Sequence, residues 1–316
     1  MKQNQFVRIN NSRWQAFEQA CNQGDTTTLT IDFPEQYRRI CHDLAIAKTR
    51  HYTPALMQKL NNLVQQGQTH LYRGNSMSFK EIINIFTRDF PAALYQCRYY
   101  VWGSFLAFYG LAVIAYIWVA LSPDAIYYFL DPQSVNDLED MYNPSGNVQS
   151  QARGADSDIL MFGFYIYNNI GIAFQMIGGG ALLGVGALIP LLFNSFYFGA
   201  VSAHIVNVGY QAPFFSFVIT HGSFELMAIV IAGAAGCKLG FSLLRPSIYA
   251  RSYALKLAGK QVLPLIIGAF VMLVLAAFIE AFWSPRDIPN TFKYLVGGLG
   301  WGLVLYRLYK GTRYGT

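Results

Sequence analysis

Residues 217–236, FVITHGSFELMAIVIAGAAG, have the length and composition of a membrane-spanning helix, yet His221 and Glu225 stand in the first half of the stretch. A hydrocarbon layer about 30 Å thick requires roughly 20 apolar residues at 1.5 Å each. Side chains four residues apart share one face of a helix. The stretch therefore predicts a transmembrane helix that carries two ionisable groups on one face.

The composition predicts further spans. The chain has 316 residues, of which 53% are hydrophobic and only 13% are charged, whereas soluble domains have about 25% charged residues. We predict an all-α, polytopic membrane bundle of about six transmembrane helices. The six predicted spans are residues 101–122, 160–183, 186–208, 216–238, 263–283 and 292–309. As an alternative, the second and third are one long segment broken near Pro190.

Charged residues near the span ends predict the orientation, because Lys and Arg resist translocation. The segment between spans four and five carries five basic residues: Lys238, Arg245, Arg251, Lys256 and Lys260. Residues 123–158 instead carry seven acidic residues against Arg153. We therefore expect an acidic outer loop at 123–158 and both chain termini in the cytoplasm.

Residues 1–95 are predicted to form a cytoplasmic helical region, and residues 96–316 the transmembrane bundle. Apolar residues recur at helical spacing from Trp14 to Cys21 and from Ile40 to Val64, which predicts two or three packed helices. Residues 78–91 form an apolar stripe that begins at the N-cap Ser78 and is expected to stop near Pro91. This amphipathic helix either lies on the inner membrane surface or packs against the other helices of the region.

Small residues predict tight packing between the spans. The run GGGALLGVGALIP at residues 178–190 contains Gly180 and Gly184, a pair that lets helix backbones approach closely in lipid. No strand is predicted before this run, and its spacing differs from the phosphate-binding pattern G-x-G-x-x-G. We therefore interpret it as a packing feature.

With this topology, polar side chains from four spans fall at a similar depth toward the outer leaflet. They include Asn168 and Asn169 in span two, His204 in span three and Glu280 in span five. With His221 and Glu225 of span four they form the predicted polar cluster. An ionised carboxylate at the bilayer centre costs about 2.5–3.5 kcal/mol on insertion scales, so the cluster requires internal partners.

Three interpretations of the cluster stay open. It is a hydrogen-bond network that locks the bundle, a site for a polar substrate, lipid headgroup or proton, or a metal centre. For the metal centre, His221, Glu225 and Glu280 would bind zinc or another divalent ion, and His204 would complete the set. The first interpretation expects no cofactor.

Other activities find less support in the sequence. Ser223 lies two residues from both His221 and Glu225, so it points to a different side of the helix and cannot join them in a catalytic triad. The spacing H-x-x-x-E is not the metalloprotease signature H-E-x-x-H. The first 100 residues have 12 basic and 7 acidic residues without clusters, so we expect no nucleic-acid partner.

Several blocks together resemble the stage II sporulation protein M family of integral membrane proteins. They are FYIYNNIGIAF at 164–174, LFNSFYFGAV at 192–201, THGSFELMAIVIAGAAGCKLG at 220–240, RPS at 245–247 and LAAFIEAFWSP at 275–285. Their order and spacing match over residues 159–286. The resemblance maps the family's polar membrane positions onto Asn168, Asn169, Asn194, His221, Glu225 and Glu280.

The resemblance implies a non-enzymatic scaffold in the bacterial cytoplasmic membrane. Sporulating members of the family help to localise peptidoglycan-degrading partners, and longer members are often encoded beside MoxR-type ATPases and von Willebrand factor A-like proteins. Cell-envelope proteins or proteins of those two kinds are the expected partners, together with the lipid bilayer, and a homo-oligomer stays open. The alternative is a transporter, a flippase or an intramembrane metal-dependent hydrolase that uses the polar cluster.

Overall fold

The computed structural model describes residues 2–22, 32–72, 83–145 and 155–314, which contain helices and no strand. The chain forms two compact units, Met1–Ser78 and Phe79–Thr316. We call them the head and the membrane unit. The prediction of an all-α polytopic bundle is confirmed.

The head contains three helices: α1 (Gln3–Asn22), α2 (Phe33–Thr49) and α3 (Pro54–Tyr72). Trp14, Ile40 and Leu60 are fully buried in a common apolar core. The helical spacing in the sequence therefore identified the buried faces correctly. The predicted run from Ile40 to Val64 is divided at residues 50–53, where His51 has a φ of 49°.

In the membrane unit, a π-helical turn, Ile85–Asp89, precedes α4 (Phe90–Gln96). Five long helices follow: α5 (Arg98–Leu121), α7 (Ala155–Gly179), α8 (Val185–Asn207), α9 (Gln211–Leu244) and α10 (Arg251–Phe282). A 3-10 helix (Pro123–Tyr128) and α6 (Pro132–Tyr142) lie between α5 and α7, and α11 (Asn290–Tyr314) closes the chain.

Among the described residues, five helices are long and apolar enough to cross a membrane: α5, α7, α8, α9 and α10. The sixth predicted span, 292–309, lies in α11, which is helical but falls outside this group. Its glycines and the basic residues Arg307 and Lys310 lower its hydropathy. That α11 crosses the membrane, and that both termini are cytoplasmic, stay predictions.

Two boundaries differ from the predicted ones. Spans two and three are separate helices joined by the turn 180–184, and Pro190 lies inside α8 rather than between them. The basic segment 238–260 is mostly helical, because α9 ends only at Leu244 and α10 begins at Arg251. Counting apolar residues finds the part of a helix that lipid can cover, not the polar turns that extend it.

The amphipathic segment also continues beyond its expected end. Ser78 and residues up to 82 lie outside the described residues, but residues 83–96 are helical throughout. Pro91 stands in the first turn of α4, where a helix does not need the missing N–H group, so it does not stop the chain. This part packs against α10 and α11, and the Phe90 ring occupies the space beside Gly268.

Helix α9 lies at the centre of the membrane unit. It is the most buried of the five candidate spans and packs against α5, α7, α8, α10 and α11. Glycines make this possible, since a Cβ atom at Gly236 would overlap the carbonyl oxygen of Met176. Gly180 and Gly184 also contact α9, but from the turn 180–184, where Gly184 has a φ of 87°.

The predicted acidic loop contains ordered structure at its start. The 3-10 helix and α6 cover one end of the membrane unit, which we call the α6 end. Val135 and Tyr142 are buried there, in two clusters with residues of α8 and α9. Asp131 caps α6 by accepting a hydrogen bond from the Ser134 N–H at 3.0 Å. The end opposite, at residues 245–250, we call the basic end.

Candidate functional site

A polar cavity of about 310 Å³ lies within the membrane unit toward the α6 end. Residues of α5, α6, α7, α8, α9 and α10 line it. Seven polar residues were predicted for this site, either from their depth or from the family resemblance. The lining includes six of them: Asn168, Asn169, Asn194, His221, Glu225 and Glu280. The structure thus brings together polar groups from four helices, α7, α8, α9 and α10.

His221, Glu225 and Glu280 form the centre of this lining. Nε2 of His221 lies 3.6 Å from Oε2 of Glu225, one turn later on α9. The same nitrogen lies 4.0 Å from Oε1 of Glu280 on α10. One ligand atom from each of the three residues falls within 4.8 Å of the others, and His221 is only 4% exposed.

Two hydroxyl groups hold the opposite side of the imidazole ring. Nδ1 of His221 lies 3.2 Å from Ser284 Oγ and 3.3 Å from Thr220 Oγ1. Each hydroxyl also lies near a carbonyl oxygen, at 2.7 Å for Thr220 and Phe217 and 3.1 Å for Ser284 and Ile279. A hydroxyl has one proton to donate. The two hydroxyls also hydrogen-bond each other, so one donates to the other and the second donates to its carbonyl. Both protons are then used, and we assign Nδ1 as the N–H donor, which leaves a lone pair on Nε2.

Asparagine amides support one of the carboxylates. Asn169, which is buried on α7, makes a side-chain hydrogen bond to Glu225. Asn168 Nδ2 in turn donates to Asn169 Oδ1 at 3.2 Å. These bonds fix the direction in which Glu225 faces the cavity, because an amide N–H donates to the ionised carboxylate.

The charge of the site is not balanced by a basic side chain of the lining. Among the described residues around the cavity, none is Lys or Arg. Two ionised carboxylates within 4.8 Å repel each other by on the order of 3 to 4 kcal/mol at an effective dielectric of about 20. A shared proton or a bound cation is the chemical means of offsetting this repulsion.

Two of the predicted residues have other partners. His204 does not complete the His–Glu–Glu set, because its Nε2 lies 2.8 Å from Glu139 Oε1 on α6. His204 lies near the end of a span, and its partner Glu139 lies in the segment 123–158 that we predicted to be a loop. Asn194 lines the cavity, but its Nδ2 donates to the Pro190 carbonyl at 2.8 Å.

Three residues of the site were missed by sequence reasoning. Thr220 and Ser284 orient His221, and Tyr142 of α6 lines the cavity beside Phe214 and Phe217. Burial is the main cause that raises the pKa of Tyr142, and the nearby Glu280 carboxylate raises it further. The hydroxyl of Tyr142 therefore stays protonated. The apolar period of α6 was the available signal for Tyr142, whereas nothing local distinguishes Ser284 from any other serine at a helix end.

Ser223 confirms the expected geometry of α9. Its side chain faces Gly300 of α11, whereas His221 and Glu225 face the cavity. A triad built from these three residues is therefore excluded by geometry. Among the residues that the structure describes, the side chains that could hold a metal ion are His221, Glu225 and Glu280.

The blocks that line this cavity and pack its walls carry the family relationship. Residues 104–285 match the model of the family described as stage II sporulation protein M. The chain belongs to the stage II sporulation protein M family. The match begins earlier than the expected residue 159, so most of α5 and all of α6 lie within the family region together with the residues that line the cavity.

The head matches a separate model, described as a domain of unknown function, over residues 4–73. Among curated proteins, an uncharacterized protein of Methanocaldococcus jannaschii is 27% identical over 121 residues, which are 38% of this chain and 68% of that protein. No solved structure matches the chain. The family and the membrane bundle are thus shown, and their biochemical role is the subject of the proposals below.

Proposed function

We propose that this member of the stage II sporulation protein M family is a membrane scaffold that organises cell-envelope partners in the bacterial cytoplasmic membrane. The carrying observation is that the head is a compact unit with its own apolar core. Such a unit does not need the membrane helices for its fold, which suits a docking module. The family's name associates its members with a stage of sporulation, and the partners envisaged are proteins that act on peptidoglycan.

The proposed orientation follows from charge. The basic end would face the cytoplasm, because Lys238, Arg245 and Arg251 lie at or near the connection 245–250, and basic residues resist translocation. The α6 end, with its acidic residues, would then face the envelope. The head would offer a docking surface for cytoplasmic proteins such as MoxR-type ATPases, and the α6 end would offer one for envelope proteins.

Crosslinking and affinity capture from native membranes test this proposal. We expect the full chain to retain defined envelope proteins and cytoplasmic proteins. A variant without residues 1–78 should lose the cytoplasmic group and keep the envelope group. As a matched control, exchange of the exposed pair Glu35 and Arg39 on α2 retains the head fold while altering its surface. Capture of the same proteins by an unrelated membrane protein would contradict the scaffold role.

A second function has its own supporting observation. The cavity of about 310 Å³ places His221, Glu225 and Glu280 around a space that can hold a small polar group. This arrangement favours a transporter, a flippase or an intramembrane hydrolase over a purely passive bundle. Substitution of Glu225 that leaves the protein folded and its partners bound, but abolishes its cellular role, would favour the second function.

A further inference from the structure

We propose that His221 Nε2, Glu225 Oε2 and Glu280 Oε1 bind one divalent transition-metal ion, with an open coordination position that faces the cavity. This inference is independent of the scaffold role. The bound metal ion would supply the reactive centre that the second function requires. The ion class is that of Zn²⁺, because a ligand set of one imidazole and two carboxylates suits zinc and its neighbours.

The distances between the three side chains are within reach of such an ion after side-chain rotation. Zinc binds nitrogen and carboxylate oxygen at about 2.0–2.2 Å, so tetrahedral ligand atoms lie roughly 3.4 Å apart. The observed separations from His221 Nε2 are 3.6 Å to Glu225 and 4.0 Å to Glu280. All three ligand atoms lie within 4.8 Å of one another, so side-chain rotations would complete the set by bringing the two carboxylate oxygens up to about 1.4 Å closer together.

The surroundings of His221 have the character of a metal ligand's second sphere. Its Nδ1 faces the hydroxyls of Ser284 and Thr220, which favours the lone pair on Nε2. A ligating histidine almost always donates its other ring N–H group to an oxygen. Ser284 is itself held in place, because its carbonyl accepts a hydrogen bond from the buried Lys293 at 2.8 Å.

Burial and charge provide an independent argument. His221 is 4% exposed and Glu280 is 9% exposed, and both face the third ligand across the cavity. A divalent ion neutralises two carboxylates at once, which a single proton does not. Solvated acidic clusters need no ion, but this one is buried among membrane helices, where two like charges close together are costly.

The cavity defines the open position. Structural zinc sites are closed by four protein ligands, whereas catalytic sites have three and leave the fourth to water or substrate. Here three protein ligands stand at the edge of a space of about 310 Å³. That space is several times larger than the roughly 30 Å³ that a water molecule occupies in the liquid. A metal-bound water or a small polar ligand can therefore fit in it.

Metal titration of the tag-free full chain in lipid nanodiscs tests the proposal. After removal of metal by a chelator, we expect the protein to bind one Zn²⁺ per chain and to bind Mg²⁺ much more weakly. The variants Glu225→Gln and Glu280→Gln should lose more affinity than the roughly 10- to 100-fold that loss of a second-sphere partner costs. Failure of the wild type to bind Zn²⁺, or unchanged affinity in both variants, would overturn the proposal.

Glu139→Gln is the matched control, because Glu139 also pairs with a histidine, His204, in the same unit. It should retain the wild-type zinc affinity. If the cluster variants fail to fold, the X-ray absorption spectrum of the zinc-loaded wild type decides. One imidazole and otherwise oxygen ligands would support the site, and a spectrum with sulfur ligands or without imidazole would overturn it. Loss of partner capture leaves this result unaffected.

Discussion

The two units bury carboxylates in opposite ways. In the head, Asp43 Oδ2 accepts hydrogen bonds from Arg13 at 2.5 Å and from the Trp14 indole N–H at 2.8 Å. In the membrane unit, Glu225 and Glu280 face a histidine nitrogen whose lone pair points at them. The head therefore balances a negative charge with a positive one, whereas the cavity gathers three groups that accept protons or cations.

The difference separates a structural polar set from a candidate binding site. A carboxylate that already has a guanidinium and an indole as donors stabilises the fold and gains little from a further ligand. A carboxylate pair without a basic side chain in the described lining gains most from an added ion. Burial alone does not distinguish them, since Asp43 and Glu280 are 4% and 9% exposed.

The largest expected effect is in the head. Asp43→Ala leaves the Arg13 guanidinium and the Trp14 N–H without their acceptor, so we expect the free energy of unfolding to fall by about 3 kcal/mol. Urea unfolding of the isolated segment 1–78, followed by the fluorescence of Trp14, measures it. Asp43→Asn retains an acceptor for the indole and should lose less.

A loss below about 1 kcal/mol, typical of an exposed ion pair, would remove the contrast between the units. The head pair would then be no more structural than a surface contact. The comparison would have to rest on the cavity alone.

The second effect concerns the orientation of His221. Ser284→Ala removes the hydroxyl nearest Nδ1, and we expect the zinc affinity of the full chain to fall by about tenfold, as for other second-sphere partners. Thermal unfolding in the presence of a chelator should hardly change. Ser216→Ala is the control, because Ser216 lies on the same helix as His221 and its hydroxyl donates to the Pro213 carbonyl.

Ser284→Thr retains a hydroxyl and should restore most of the affinity. An unchanged affinity in Ser284→Ala would contradict the assigned tautomer. A large loss of folded protein in chelator would instead favour the purely structural hydrogen-bond network, in which the polar cluster holds the bundle together without an ion.

Much of this architecture could be predicted because membrane-spanning helices are recognisable in a sequence as long apolar runs. Backbone groups in lipid must bond within their own segment, so a long apolar run has one stable structure. The depth of each polar residue then follows from its distance to the span end. This is why Asn168, Glu225 and Glu280 could be placed together from the sequence.

The partners outside the spans could not be predicted in the same way. His204 pairs with Glu139 because α6 folds back over one end of the membrane helices. The length rule for transmembrane helices does not predict the position of such a short helix. Ser284 approaches His221 because α10 ends beside the first turns of α9. Both contacts depend on how connections return to the bundle, which apolar periodicity does not encode.

The smallest expected effect concerns Asp131, at the start of the helix that covers the cavity. Its carboxylate accepts hydrogen bonds from the hydroxyl and the N–H of Ser134 at 2.7 and 3.0 Å. These bonds, the hydroxyl first, lower the pKa of Asp131 below the ordinary value of 3.8. The cap is therefore fully formed above that value and is lost as the pH falls through the lower pKa of the folded protein.

NMR titration of the Asp131 carboxyl carbon in the full chain measures this midpoint directly. Ser134→Ala removes the hydroxyl but retains the N–H, so the midpoint should rise only part of the way toward 3.8. Like Asp43, Asp131 has its donors within the protein, and its response to acid should be the same with or without zinc. A midpoint that moves when zinc is added would mean that α6 and the cavity respond together, and the separation between structural and ligand-binding carboxylates would no longer hold at this end of the molecule.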